Sequence, residues 1–87
     1  MIELEGLLND PKVEQLWKSR NKIFPETEVN LQKISSVNSA GVAFLVLWAE
    51  DLKAKNKSPL VLHHLPTEAG QLIRLFKVEP LFTFRSD

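Results

Sequence analysis

Hydrophobic and polar positions change period several times along this chain, and each change marks an element. Over residues 2–7 apolar and acidic side chains alternate, the period-two pattern of a strand with one wet face. Asn9, Asp10 and Pro11 then supply a cap and a first-turn proline, after which Val13, Leu16 and Trp17 fall at helical spacing opposite Glu14, Gln15 and Lys18. Pro25 marks the end of that connection. Alternation returns over residues 28–32, a second strand. The almost wholly apolar run 42–49 predicts a helix from residue 39 to about residue 55, closed by the turn Asn56-Lys57-Ser58-Pro59. Residues 60–63 read as a short, largely buried strand. Pro66 opens a last helix in which Ala69, Leu72, Ile73 and Phe76 share a face, and Pro80 stops it. In the tail Phe82 and Phe84 flank Thr83, a pattern that fits a terminal strand or a cover over the core.

Strands alternating with helices predict an α/β domain, with a mixed sheet and helices packed mainly on one face. The 87 residues read as one domain with no repeat, low-complexity segment or internal boundary. At about 100° per residue, Val42, Leu45, Val46, Ala49 and Leu52 form the core stripe of the middle helix. Ala40, Phe44 and Leu47 project to its far side near Asp51, with Trp48 on the boundary. Either the last helix or the Phe82–Phe84 tail covers Phe44 and Trp48, or they form an exposed patch of the kind that marks a protein interface.

Charge and composition narrow the chemistry. Eleven basic and eleven acidic residues cancel and are interspersed, which argues against the basic stripe that a dedicated nucleic-acid surface needs. The chain has no cysteine, so disulfides, thiolate catalysis and cysteine metal sites are excluded together. The N-terminal alternation is strand chemistry rather than a signal peptide, and the longest apolar run falls far short of the roughly twenty residues that span a bilayer. The expectation is a soluble, cytoplasmic protein.

Catalytic patterns are missing. His63 and His64 are adjacent at a strand end and so point to opposite faces, poor geometry for a two-histidine metal site. Three scattered glycines build no phosphate loop. The chain is read as a non-enzyme without metal or cofactor.

Chemistry concentrates instead at Val37-Asn38-Ser39-Ala40-Gly41, where a strand and its loop enter a helix and present free backbone N–H groups beside a hydroxyl. Together with Val29-Asn30-Leu31, Ile34 and the following Val42-Ala43-Phe44-Leu45, this stretch resembles the STAS domain signature. The resemblance extends to Leu4-Glu5-Gly6-Leu7-Leu8, to Leu60-Val61-Leu62 and to the helix with Leu72, Ile73 and Phe76. It implies a STAS-like sheet with helices on one face. Leu16-Trp17, the single hydroxyl in Ser39-Ala40-Gly41 and the short ends are most similar to the small free-standing cytoplasmic STAS subunits of Mla phospholipid ABC transporters. That likeness implies a non-catalytic accessory role, supporting the ABC transporter ATPase subunit and thereby outer-membrane lipid asymmetry, from the cytoplasmic side of the inner membrane. Partner contacts would then fall on Asn38, Ser39, Ala40, Phe44, Leu47 and Trp48.

Three departures bear on this. Asn30 and Asn38 stand where the family usually has aspartate, so the motif offers no carboxylate to a cation. Ala40 occupies the position of the serine that is phosphorylated in STAS partner switches, which weighs against an anti-sigma antagonist, the alternative function. The N-terminus lacks an additional strand found in many relatives. Ser39 itself has three roles open to it: helix cap, kinase target or partner contact. A ligand-binding STAS domain is a third functional class, disfavoured by the missing aspartates.

Overall fold

The computed structural model describes residues 1–85. Its elements run β1 (Ile2–Leu8), α1 (Asp10–Lys18), α2 (Arg20–Ile23), β2 (Glu28–Val37), α3 (Ser39–Ala54), β3 (Leu60–His63), α4 (Thr67–Leu75), a 3-10 turn (Glu79–Leu81) and β4 (Phe82–Arg85). The α/β architecture is the expected one, and the Phe82–Phe84 tail is a terminal strand.

The four strands lie in the order β1-β2-β3-β4, every neighbouring pair parallel. The sheet is therefore wholly parallel among the described residues, where a mixed one was expected. Each connection carries a helix or a helical turn that returns the chain to the end where the previous strand began. Right-handed crossovers stepping in one direction place all the helices on one face. Burial agrees: Leu4, Leu8, Val29, Leu31, Leu60, Leu62 and Phe82 point into the core with α3. The opposite face is uncovered and polar, joined by Lys33 Nζ to Glu3 Oε1 at 3.3 Å, Asn30 Nδ2 donating to Glu3 Oε2 at 3.2 Å, and His63 Nε2 to Glu28 Oε1 at 2.6 Å. His64, just after β3, lies in the left-handed region, φ 56°, and donates its N–H to the carbonyl of Arg85 at 2.9 Å.

Strand β2 is longer than its alternation suggests, reaching Val37. Against β1 it gains one residue between Asn30 and Lys33 and another between Ile34 and Ser36, two bulges that reset which side chains face inward. Its buried positions are consequently Val29, Leu31, Ile34 and Val37, a spacing that leaves period two after Leu31. Asn30 Oδ1 accepts the N–H of Gln32 at 2.9 Å across the first bulge. Gly6, opposite Ile34 at the second irregularity, has φ +81°, a conformation open to glycine at no steric cost. No helix among the described residues is long and apolar enough to cross a membrane.

Candidate functional site

The β2–α3 junction is built around Asn38. Its backbone is extended at φ −106°, ψ −174°, and its Oδ1 accepts the Gly41 N–H at 3.1 Å, so Asn38 is the N-cap and Ser39 the first helical residue. The same side chain donates from Nδ2 to Asp10 Oδ1 at 2.9 Å, while its backbone N–H donates to the Leu8 carbonyl at 3.3 Å. One neutral amide thus caps α3 and ties it to the start of α1. An aspartate here could accept from Gly41 but would set a second carboxylate against Asp10. Asn38→Ala is expected to lower stability by about 1 kcal/mol, the usual worth of a cap, read as a lower urea midpoint with an unchanged slope.

Gly41 explains how closely the helix approaches the sheet. A Cβ at that position would lie 2.5 Å from the Leu8 carbonyl oxygen and 2.9 Å from Leu8 Cγ. Glu68, in the first turn of α4, completes the junction by accepting the Val37 N–H at 3.0 Å. Sequence reasoning missed Glu68, because its partner lies 31 positions away and no local pattern announces the pair.

The six expected contact residues separate into two groups. Asn38 and Ser39 are exposed, Ala40 is half-buried and Leu47 is 47 % exposed. Phe44 and Trp48 are 1 % and 0 % exposed, so the exposed aromatic patch is not formed and neither side chain is available to a partner. The cover is neither the last helix nor the tail. It is Phe24, whose ring stacks on Trp48 at 6.2 Å and 13° and meets Phe44 at 5.7 Å, while Trp48 Nε1 donates to the Glu26 carbonyl at 2.9 Å. Neither helical nor strand periodicity marks Phe24, because it sits in a connection. The signal was present in Ile23-Phe24, an apolar pair immediately before Pro25.

An exposed strip does remain on α3. Ser39, Ala43, Leu47 and Glu50, spaced at four, four and three residues, line its outer surface. Trp17 on α1, 40 % exposed, sits edge-on to Phe24 at 6.0 Å, on the flank of α3 that carries Phe44 and Trp48. The strip is narrow, small-sided at its N-terminal end and apolar at Leu47.

No protein-family model matches this sequence, and no curated protein matches it at a significant level.

Proposed function

We propose that the chain is a non-catalytic docking module of the STAS kind, an accessory subunit that binds and supports the cytoplasmic ATPase of an Mla-type phospholipid ABC transporter and so serves outer-membrane lipid asymmetry. The observation that carries this reading is the outer strip of α3. Small side chains at Ser39, Ala40 and Ala43 let another backbone approach closely, Leu47 offers an apolar anchor, and Asn38 holds the helix start in place through Asp10. Helix-face docking of this type needs a preformed, rigid surface rather than reactive groups.

Ser39→Arg and Leu47→Glu test it. Both positions are exposed, so each variant is expected to melt within a few degrees of wild type, since surface changes usually shift stability by no more than about 0.5 kcal/mol. Affinity purification from cells that express the chain natively is expected to recover an ABC ATPase with wild type and to lose it with both variants. Undiminished recovery with both would exclude the strip as the interface. A serine kinase recovered in place of the ATPase, with phosphate mapped to Ser39, would transfer the reading to a partner switch.

A further inference from the structure

Charges that are interspersed along the chain are sorted by the fold. Because the helices run antiparallel to the strands, their C-terminal ends gather at one pole. That pole carries Lys18, Arg20, Lys22, Lys53, Lys55 and Lys57, all exposed except the half-buried Arg20. Asp10 and Glu68 lie in first turns at the other ends of the helices. The basic end also holds Glu26 and Glu28 at the start of β2, Glu79 before β4, and Asp51, so cations are in excess there rather than alone.

Helix-terminus electrostatics explains only part of the basic pole. Lys18 and Lys53 occupy the last turns of α1 and α3, where the carbonyl ends favour a cation. Arg20 serves the end of α1 as well, donating from Nη1 to the Trp17 carbonyl at 2.9 Å, but its guanidinium also lies 4.3 Å from the centre of the Trp17 ring, a placement that capping alone does not require. Stacked in this way, the guanidinium is preorganised with most of its donors unused. It borders a cleft of about 210 Å³ between α1–α2 and α3, lined by Trp17, Arg20, Asn21, Phe24, Asp51 and Lys55. Lys55 Nζ is spent on Asp51 Oδ2 at 3.0 Å, which neutralises the one carboxylate in the cleft. Lys53 and Lys57 border a second cleft, of similar size, on the other side of α3. Among the described residues no carboxylate lies within ion-pair distance of Arg20, Lys22, Lys53 or Lys57.

We infer that this pole is a second docking surface, distinct from the outer strip of α3, and that its occupant is an acidic peptide segment of a partner protein. The cations lie on both sides of the α3 C-terminus and flank concave clefts, so an extended chain crossing that end could place successive carboxylates against Arg20, Lys22, Lys53 and Lys57, with Arg20 giving the bidentate contact. An anionic membrane is the poorer fit. Interfacial anchoring uses aromatic rings free to enter the headgroup layer, whereas Trp17 is held between Arg20 over its face and Phe24 at its edge.

A fluorescently labelled hexaglutamate peptide is the probe, titrated into the wild-type chain and followed by anisotropy. Saturable binding is expected at low salt, and it should collapse as the Debye length falls from about 10 Å at 0.1 M to about 3 Å at 1 M. Arg20→Gln and the double variant Lys53→Glu/Lys57→Glu should each weaken binding by at least about fivefold, as loss of steering and paired charge requires. Lys33→Gln, on the uncovered sheet face, should leave it unchanged. The double variant alters only exposed side chains, so its circular dichroism is expected to match wild type and its melt to fall by no more than a few degrees, from the lost cation at the end of α3, even if Arg20→Gln perturbs Trp17. Absence of low-salt binding, indifference to both variants, or tighter binding to phosphatidylglycerol-containing vesicles or to single-stranded oligothymidylate than to the peptide would overturn the inference.

Discussion

Trp48→Ala is expected to remove a large part of the stability of this protein, enough to leave it substantially unfolded near physiological temperature. Trp48 is fully buried, stacked on Phe24 and edge-on to Phe44, and its indole N–H is bonded to the Glu26 carbonyl. Truncating a buried tryptophan costs about 3–5 kcal/mol through lost transfer energy and the cavity left behind. Native domains keep only about 5–15 kcal/mol in total, and a chain of this length belongs near the lower end. The loss also has a direction. Phe24 belongs to the connection between α2 and β2, and without the indole beneath it that connection has less to hold it down. Trp48→Phe retains an aromatic ring against Phe24 and forfeits the hydrogen bond, so it should fall between wild type and alanine. Urea unfolding followed by far-ultraviolet circular dichroism measures all three. An alanine variant within about 1 kcal/mol of wild type would show that the aromatic cluster is not the core of the helical layer.

Gly41→Ala should destabilise by about 1–3 kcal/mol, opposite in sign to the general rule for glycine inside a helix. In an unobstructed helix the same change gains up to about 1 kcal/mol, because alanine sacrifices less backbone freedom on folding. At Gly41 the new methyl would meet the Leu8 carbonyl oxygen at 2.5 Å, and that oxygen belongs to the backbone of a buried strand end. Relief requires α3 to lift from β1, which strains the Asn38 bonds to Gly41 and Asp10. Gly70 in α4 is the internal control: the nearest atom to its virtual Cβ is Leu65 Cδ2 at 3.6 Å, an ordinary contact, so Gly70→Ala should stabilise modestly. Thermal melts of the two variants should therefore move in opposite directions. If Gly41→Ala melts at or above wild type, α3 does not press on β1 as described.

These two residues also show what the sequence could and could not convey. The place of Gly41 at a strand-to-helix turn is legible, because punctuation by Asn-Ser-small-Gly is local and its meaning is carried by adjacent positions. Helical periodicity puts Trp48 on a boundary, because it ranks residues around one axis and contains nothing about a second layer. In α3 the apolar arc extends through Phe44 and Trp48 because the segment containing Phe24 folds over that flank, and no period in residues 39–54 encodes the segment. Alternation alone ends strand β2 too early for a related reason. Its two extra residues relative to β1 are a property of the pair, invisible in one strand, and they break alternation where pairing continues. The parallel sheet was obscured because the last strand is only four residues long and its connection from α4 is a short 3-10 turn. Charge was the least legible quantity. A neutral, interspersed composition says nothing about which ends of the helices the cations occupy, and that depends on all the crossovers running the same way.

Sequential strand order has a consequence for how copies of the chain behave at high concentration. Folds that wind outward from the middle bury their first strand. Here β1 and β4 both lie at the margin, with one side of each backbone unpaired within the described residues. Such margins are templates for runaway stacking. On β1 the hazard is countered by Glu3 and Glu5 and by the kinked geometry at Gly6, which spoil a flat approach; on β4 it is countered by brevity and by Arg85 at its end. Solubility in this architecture rests on a handful of marginal side chains rather than on the core, so a change as mild as Glu5→Val could leave the melt intact and still send the protein into fibres.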